Sequence, residues 1–192
     1  IENTGDWRAR LILTSQIMQK SKDIQSDKLK EYEAEMSPQQ NKVYKEVLNH
    51  CRSMFSNGSI TAANEGVVLN KLMQISLGKV FADDKSVKTL DSSKRLKVLR
   101  ELIEDNDRSV IVFAPFVPVV EQLYEDLKGD YHVDMIHGGV PQKQRSEIFN
   151  RFQSSGDLGQ KRIIVAHPAT MAHGLTLTAA NLIVWYGPTW DL

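Results

Sequence analysis

The sequence predicts an α/β fold, an open sheet of mostly parallel strands flanked by helices. The first observation behind this prediction is a set of continuous apolar, β-branched runs at residues 110–113, 163–165 and 182–185. Strands that are apolar on both faces belong in a parallel sheet that helices cover on both sides. The second observation is that helical spacings separate these runs, which favours right-handed crossovers between parallel strands.

The first segment, residues 1–36, is polar and weakly patterned, and we interpret it as a connector from something upstream. Within it, the spacing of Trp7, Leu11 and Ile12 favours one face of a helix. The chain begins with Ile1 and not with Met, as expected of an excised fragment.

A helical lead-in with a small β-hairpin is predicted for residues 37–105. Ser37, Pro38 and Gln40 form a helix start, with Ser as N-cap, Pro at the first helical position and Gln closing a capping box. A second helix fits residues 64–77, and residues 79–90 alternate around a polar turn, which is typical of a hairpin. Either Ser92 or Ser93 caps a third helix.

The parallel α/β core is predicted for residues 109–192, with a weaker, alternating strand at 133–136. Open α/β sheets bind ligands outside the carboxyl ends of their strands. That rule directs attention to the loops at residues 114–117, 137–140 and 166–174.

Composition excludes several classes of protein. Hydrophobic residues make up 41% and charged residues 25% of the 192 residues, as in ordinary globular domains. No apolar stretch approaches the roughly 20 residues that cross a bilayer, so no membrane partner is expected. Net charge is zero, which excludes a bulk basic field for nucleic acid. The single cysteine, Cys51, predicts a reducing, intracellular compartment.

Self-contained catalytic chemistry is not visible. There is no Walker A loop, no nucleophile elbow and no cysteine–histidine cluster. His137, His167 and His173 follow strands, but no Asp or Glu accompanies them at ligand spacing, so we predict no metal site.

Several segments of the lead-in and the core form an ordered series of motifs. The lead-in segments are SPQQNKVYKEVL (37–48), NKLMQI (70–75) and SKRLKVLREL (93–102). The core segments are VIVFAPF (110–116), IHGGVPQKQRSEIFNRF (136–152), RIIVAHPATMAHGLTLTAAN (162–181) and IVWYGPTWD (183–191). In this order they resemble the motifs of the second motor lobe of Swi/Snf-type DNA translocases, which belong to superfamily 2 of the helicases. Residues 110–116 are similar to motif IV, 162–181 to motif V and 183–191 to motif Va. The sequence of motif V is most similar to that of the phage and prophage branch of the family.

The resemblance implies that residues 37–192 form the C-terminal RecA-like (P-loop NTPase-like) lobe of an ATP-dependent helicase or translocase. In the full-length protein, ATP and Mg²⁺ would bind between this lobe and a missing N-terminal lobe, and double-stranded DNA would be the other partner. The chain stops before motif VI, whose arginines stabilise charge on the transferring phosphate. We therefore expect the fragment to hold no cofactor, to contain no catalytic residue and to be inactive alone. The expected location is the cytoplasm, that of the host if the protein is phage-encoded.

The resemblance also assigns site residues. Gly174 and Thr176 match nucleotide-binding positions of motif V, although Thr176 replaces the usual Asn or Asp. Because Pro168 lacks an N–H, any phosphate grip after the third strand must come from the backbone of Ala169 and Thr170. The predicted nucleic-acid-binding residues all follow strand ends: Pro115, Phe116, His137, Gly138, Gly139, Arg145, His167, Ala169 and Thr170.

Several of these residues also have a structural interpretation. Gly138 and Gly139 suit a tight turn with positive φ, and the Phe116 ring suits packing in the core. Arg145 suits a structural salt bridge, and His167 suits a hydrogen-bonded, half-buried ring. At the level of the whole chain, the alternative is a catalytically inert nucleotide- or protein-binding regulatory module. A Gln-x-x-x-Arg-x-x-Arg run soon after Leu192, with a P-loop upstream, would favour the motor.

Overall fold

Four parallel strands form the centre of the fold in the computed structural model, which describes residues 9–14, 29–56, 62–82, 84–157, 161–171 and 177–188. The chain divides into two units by its contacts, one built mainly from Glu33–Val98 and the other mainly from Leu99–Leu192. The four parallel strands lie in the second unit.

The helices and strands in chain order are β1 (Ala9–Thr14), β2 (Leu29–Ala34), α1 (Pro38–Ser56), α2 (Ala62–Leu77), β3 (Lys79–Phe81), β4 (Val87–Thr89), α3 (Ser93–Glu104), β5 (Ser109–Phe113), α4 (Val117–Leu127), β6 (His132–Ile136), α5 (Gln142–Asp157), β7 (Arg162–Ala166) and β8 (Ala180–Trp185). A short 3-10 helix covers Pro168–Thr170.

The first unit begins with the predicted capping box, which the structure confirms. Gln40 N–H donates to Ser37 Oγ at 3.2 Å, and Ser37 N–H donates to Gln40 Oε1 at 3.0 Å. The Gln40 side chain is 2% exposed, and its amide also donates to the carbonyls of Ile75 (2.8 Å) and Ser76 (3.0 Å). One side chain therefore starts α1 and satisfies the carbonyl end of α2, where the last turn has no partners within its own helix.

The predicted hairpin follows α2 and is formed by β3 and β4, which pair antiparallel with Val80 opposite Lys88. Gly78 makes the turn between α2 and β3 with a φ of +82°. A Cβ at this position would lie 2.7 Å from Ser92 Oγ, so both the backbone angle and the available space require glycine.

The second unit contains a sheet with strand order β2-β1-β8-β5-β7-β6. The last four strands in this order, β8, β5, β7 and β6, run parallel, as the apolar runs predicted. Val110, Ile111 and Val112 in β5 are each at most 5% exposed, so the central strand is buried on both faces. Ile148 and Phe152 of α5 pack on one face. Right-handed crossovers place α4, which contacts β6 and β7, on the other.

The helix expected around Leu11 and Ile12 is wrong. Residues 9–14 form β1, which pairs antiparallel with β8 and sets Ile12 opposite Trp185. The run RLILT contains residues that suit a strand as well as a helix. Pairing with an exposed sheet edge decides between the two structures, because it satisfies backbone groups of both strands.

Candidate functional site

The three loops that the sequence singled out lie side by side at the carboxyl edge of the sheet. β5, β7 and β6 are neighbours and parallel, so their carboxyl ends meet there. Backbone hydrogen bonds continue beyond the strands: Ala114 N–H donates to the Ala166 carbonyl at 3.0 Å, and His167 N–H donates to the Ile136 carbonyl at 2.9 Å. The loops are therefore fixed relative to one another where they leave the sheet.

The loop after β5 contains Pro115 and Phe116, both half-buried. Phe116 is the N-cap of α4 with extended backbone, and its carbonyl accepts hydrogen bonds from Val119 and Val120 at 3.0 and 3.1 Å. Its position is therefore set by the start of α4. Because Phe116 is half-buried, its structure is compatible with both predicted roles, packing in the core and contacting nucleic acid.

The loop after β6 is a tight turn over His137, Gly138 and Gly139. The Val140 N–H donates to the His137 carbonyl at 3.0 Å, and the Gly139 N–H donates to His137 Nδ1 at 3.2 Å. Neither glycine has a positive φ, so the expectation based on left-handed backbone is wrong. A Cβ at Gly139 would lie 3.0 Å from Cε1 of the His137 ring, whereas a Cβ at Gly138 would meet nothing within 4 Å. Close approach of the imidazole, not backbone angle, favours glycine at position 139.

Arg145 is brought to this turn from the first turns of α5. Its Nε donates to the Val140 carbonyl at 2.7 Å, and the residue is half-buried. A guanidinium has five N–H donors, so this bond leaves the two terminal amino groups for another acceptor. The partner observed is a backbone carbonyl, not the acidic side chain that a structural salt bridge would need.

Further along α5, Arg151 does form such a salt bridge. Its guanidinium lies 2.5 Å from the Asp134 carboxylate on β6. The hydrogen bond with that carboxylate raises the pKa of Arg151 above its usual range, against a smaller opposing effect of burial. The two arginines of α5 thus differ. The charge of Arg151 is paired with a carboxylate, whereas Arg145 is bonded to an uncharged carbonyl.

The loop after β7 forms the 3-10 helix Pro168–Thr170. Thr170 donates both its N–H (3.0 Å) and its hydroxyl (2.6 Å) to the His167 carbonyl. The Thr170 amide is therefore engaged inside the turn, contrary to the role that the sequence gave it. The Ala169 residue is exposed, and its N–H makes no hydrogen bond to any residue that the structure describes. That amide remains for a ligand.

The two predicted nucleotide-binding residues, Gly174 and Thr176, lie outside the described residues. The described segment that begins at Leu177 is anchored by bonds that sequence reasoning missed. The Gln153 side-chain amide donates to Thr178 Oγ1 at 2.5 Å and accepts from the Ala179 N–H at 3.3 Å. Arg108 donates to the Thr178 carbonyl at 2.6 Å. No sequence signal marks these bonds, because two of the three use backbone groups.

In the described parts of the chain, no group of three or more His, Cys, Asp or Glu side chains is close enough to hold a metal ion. Among the same residues, no helix is both long and apolar enough to cross a membrane.

The glycine turn gives a first testable prediction. Gly139→Ala is expected to lower the free energy of unfolding by about 1 kcal/mol relative to Gly138→Ala, because the new methyl group displaces the His137 ring and breaks its hydrogen bond. Urea denaturation followed by circular dichroism measures both variants, and Gly138→Ala serves as the control for loss of glycine flexibility. Equal midpoints for the two variants would contradict the close contact.

The fold and this edge define a class of protein. The family model of the helicase conserved C-terminal domain matches residues 94–192, slightly more than half of the chain. The chain belongs to this family. The resemblance of the motifs to the C-terminal lobe of helicases is thereby confirmed.

Individual relatives include two yeast proteins and one phage protein. The chain is 26% identical over 157 residues to the ATP-dependent RNA helicase CHR1 of Candida albicans and 24% identical over 157 residues to the ATP-dependent RNA helicase ROK1 of Scheffersomyces stipitis. Each of these alignments covers 73% of the chain. It is 22% identical over 139 residues, 70% of the chain, to a putative protein p41 of Acyrthosiphon pisum secondary endosymbiont phage 1. The chain spans about a quarter of the length of these curated relatives, between 26% and 27%.

Solved structures support the fold class. The C-terminal domain of the Sulfolobus solfataricus SWI2/SNF2 ATPase superposes with a TM-score of 0.57 at 23% identity, covering 77% of this chain and 66% of that one. The core of that ATPase in complex with double-stranded DNA superposes with the same TM-score at 19% identity, covering 77% of this chain and 32% of that one. The predicted RecA-like α/β fold is confirmed.

Proposed function

We propose that this chain is the second lobe of an ATP-dependent helicase or translocase and that the carboxyl edge of its sheet contacts the phosphate backbone of nucleic acid. The observation that carries the proposal is the convergence of Arg145, the glycine turn and the Ala169 amide at one edge, in a chain of the helicase C-terminal family. Cationic side chains and backbone N–H groups are the donors that proteins use for phosphates.

Arg145 is the main cationic contact in this proposal. Its Nε is held by the Val140 carbonyl, which orients the plane of the guanidinium while its terminal amino groups stay available. A planar guanidinium binds two phosphate oxygens at once. Gly138 and Ala169 would add backbone donors, whereas the Gly139 N–H is used by His137 Nδ1 inside the turn. Pro115 and Phe116 would flank the nucleic-acid strand.

The chain as a whole is neutral, with 24 basic and 24 acidic residues. Binding by this lobe alone is therefore expected to be weak, because affinity for nucleic acid rises with the number of phosphates neutralised. In the full-length protein, a P-loop lobe would hold ATP and Mg²⁺ against this one, with Gly174 and Thr176 on this side. Closing and opening of the two lobes would then move the protein along the nucleic acid.

A catalytically inert regulatory module remains the second candidate, and one observation favours it. The loop after β7 offers few donors, since Pro168 has no N–H and the Thr170 amide and hydroxyl are used inside the turn. A full-length protein that does not hydrolyse ATP, with or without nucleic acid, would favour this second candidate.

The proposed nucleic-acid surface is tested by removing one positive charge at the carboxyl edge of the sheet. Removal of one positive charge at the opposite edge is the control. Arg145→Gln is expected to reduce affinity for a fluorescent duplex several-fold and to reduce the slope of log affinity against log salt by about 0.9. The matched control is Lys128→Gln, since Lys128 follows α4 at the opposite edge and is paired with Glu125. Anisotropy titrations at several salt concentrations measure both variants.

The same titrations are run with duplex DNA and with single-stranded RNA, because the SWI2/SNF2 core was solved with DNA whereas the yeast relatives are RNA helicases. Tighter binding of duplex DNA supports the DNA translocase, and tighter binding of RNA redirects the assignment to RNA. Identical salt slopes for wild type and Arg145→Gln would show that Arg145 neutralises no phosphate and would contradict the proposed nucleic-acid surface.

A further inference from the structure

We propose that His167 is a positioning residue that locks the three strand-end loops together, and that it acts through its hydrogen bonds rather than as a phosphate ligand. The inference rests on the proposed function, because those loops form the proposed nucleic-acid surface. It assigns His167 a different role from the direct contact that the sequence suggested.

The backbone of His167 makes the first two connections. Its N–H donates to the Ile136 carbonyl at 2.9 Å, which ties it to the end of β6 and the glycine turn. Its carbonyl accepts the Thr170 N–H and hydroxyl at 3.0 and 2.6 Å, which closes its own turn. Both backbone groups of this residue are thus used in holding loops.

The side chain makes the third connection. His167 Nε2 lies 3.1 Å from the Pro115 carbonyl oxygen, in the loop after β5. A carbonyl oxygen accepts hydrogen bonds and does not donate them, so Nε2 carries the proton and donates. The ring therefore links the loops after β5 and β7, and its Nε2–H is not available to a phosphate while this bond is intact.

The next residue in the sequence explains why this geometry is held. Pro168 follows His167, and a residue before proline is restricted to extended backbone. His167 has a φ of −78° and a ψ of 128°, as this restriction requires. The Cα–Cβ direction of His167 is thereby set before any ligand binds, which lets one ring bridge two strand ends reproducibly.

Two substitutions separate positioning from direct contact. His167→Gln keeps a side-chain N–H donor at a similar reach, so it can still donate to Pro115. His167→Ala cannot. In the 192-residue chain without nucleic acid, His167→Ala is expected to shift the backbone amide resonances of Phe116 and Gly138, and His167→Gln is expected to leave them close to their wild-type positions. Long-range ¹H–¹⁵N spectra of the wild type should show the ring proton on Nε2.

Binding gives the second measurement. His167→Ala is expected to weaken binding of the fluorescent duplex about tenfold, the equivalent of about one net hydrogen bond. His167→Gln should bind within about twofold of wild type, with an unchanged salt slope, because no charge that neutralises a phosphate has been removed.

Each outcome either supports the proposal or overturns it. If His167→Gln loses as much affinity as His167→Ala, the imidazole itself contacts the phosphate and the proposal fails. It fails equally if the Phe116 and Gly138 resonances are unmoved in His167→Ala. A wild-type chain that binds no nucleic acid would sink the proposed function instead, while the spectra of the free chain still decide whether His167 locks the loops.

Discussion

Replacing Gln40 with alanine is expected to lower the free energy of unfolding of the first unit by about 3 kcal/mol. The side chain is buried and makes three hydrogen bonds, to the Ser37 N–H and to the carbonyls of Ile75 and Ser76. Truncation removes this partner from all three buried groups, and the Ile75 carbonyl then keeps only its bond from the Gly78 N–H. Urea denaturation followed by far-ultraviolet circular dichroism measures the loss.

Two further variants show whether hydrogen bonding or packing is responsible. Gln40→Leu fills most of the volume but cannot donate, so it should be nearly as damaging as alanine. Lys42→Ala, an exposed position on the same helix, should change stability by less than about 0.5 kcal/mol. A Gln40→Leu variant as stable as wild type would show that the bonds contribute little.

Phe152→Ala is the other substitution with a large expected effect, about 4 kcal/mol of destabilisation of the second unit. The ring is fully buried in the cluster that includes Ile111, Ile136 and Ile164, so truncation leaves a cavity between α5 and the sheet. Phe152→Leu keeps most of the volume and should cost about 1 kcal/mol. Thermal unfolding monitored by tryptophan fluorescence compares the two.

Phe149→Ala is the control, since Phe149 packs against the same cluster but is only partly buried. It should be less damaging than Phe152→Ala. The prediction fails if the two alanine variants have the same midpoint, because burial would then not determine the cost.

The parallel core could be predicted from sequence because its signal is local and strong. Strands β5, β7 and β8 each contain a continuous apolar run, and strands of this kind belong in a parallel sheet that helices cover on both sides. The capping box at Ser37 and Gln40 is equally local. By contrast, the segment around Leu11 was predicted as a helix, because its neighbour in the sheet, β8, is more than 160 residues away in sequence (Ile12 pairs with Trp185).

The candidate site was predictable in outline but not in its connections. Parallel strands with neighbouring carboxyl ends bring their loops to one edge, and that part followed from the pattern. The bonds from Arg145 to Val140, from His167 to Pro115 and from Gln40 to the end of α2 end on backbone carbonyls. Every residue has a backbone carbonyl, so the sequence does not indicate which carbonyl accepts a given bond. The partner is determined by the folded structure.

The salt bridge between Asp134 and Arg151 has a consequence for how the protein behaves at high concentration. Among the described strands, β6 is the last of the sheet on its side, and a terminal strand of this kind can recruit a strand from a neighbouring molecule. Asp134 lies at the middle of the five-residue β6 and is paired with Arg151. Charged side chains on a terminal strand oppose edge-to-edge pairing, so we expect this ion pair to disfavour self-association of the protein through β6.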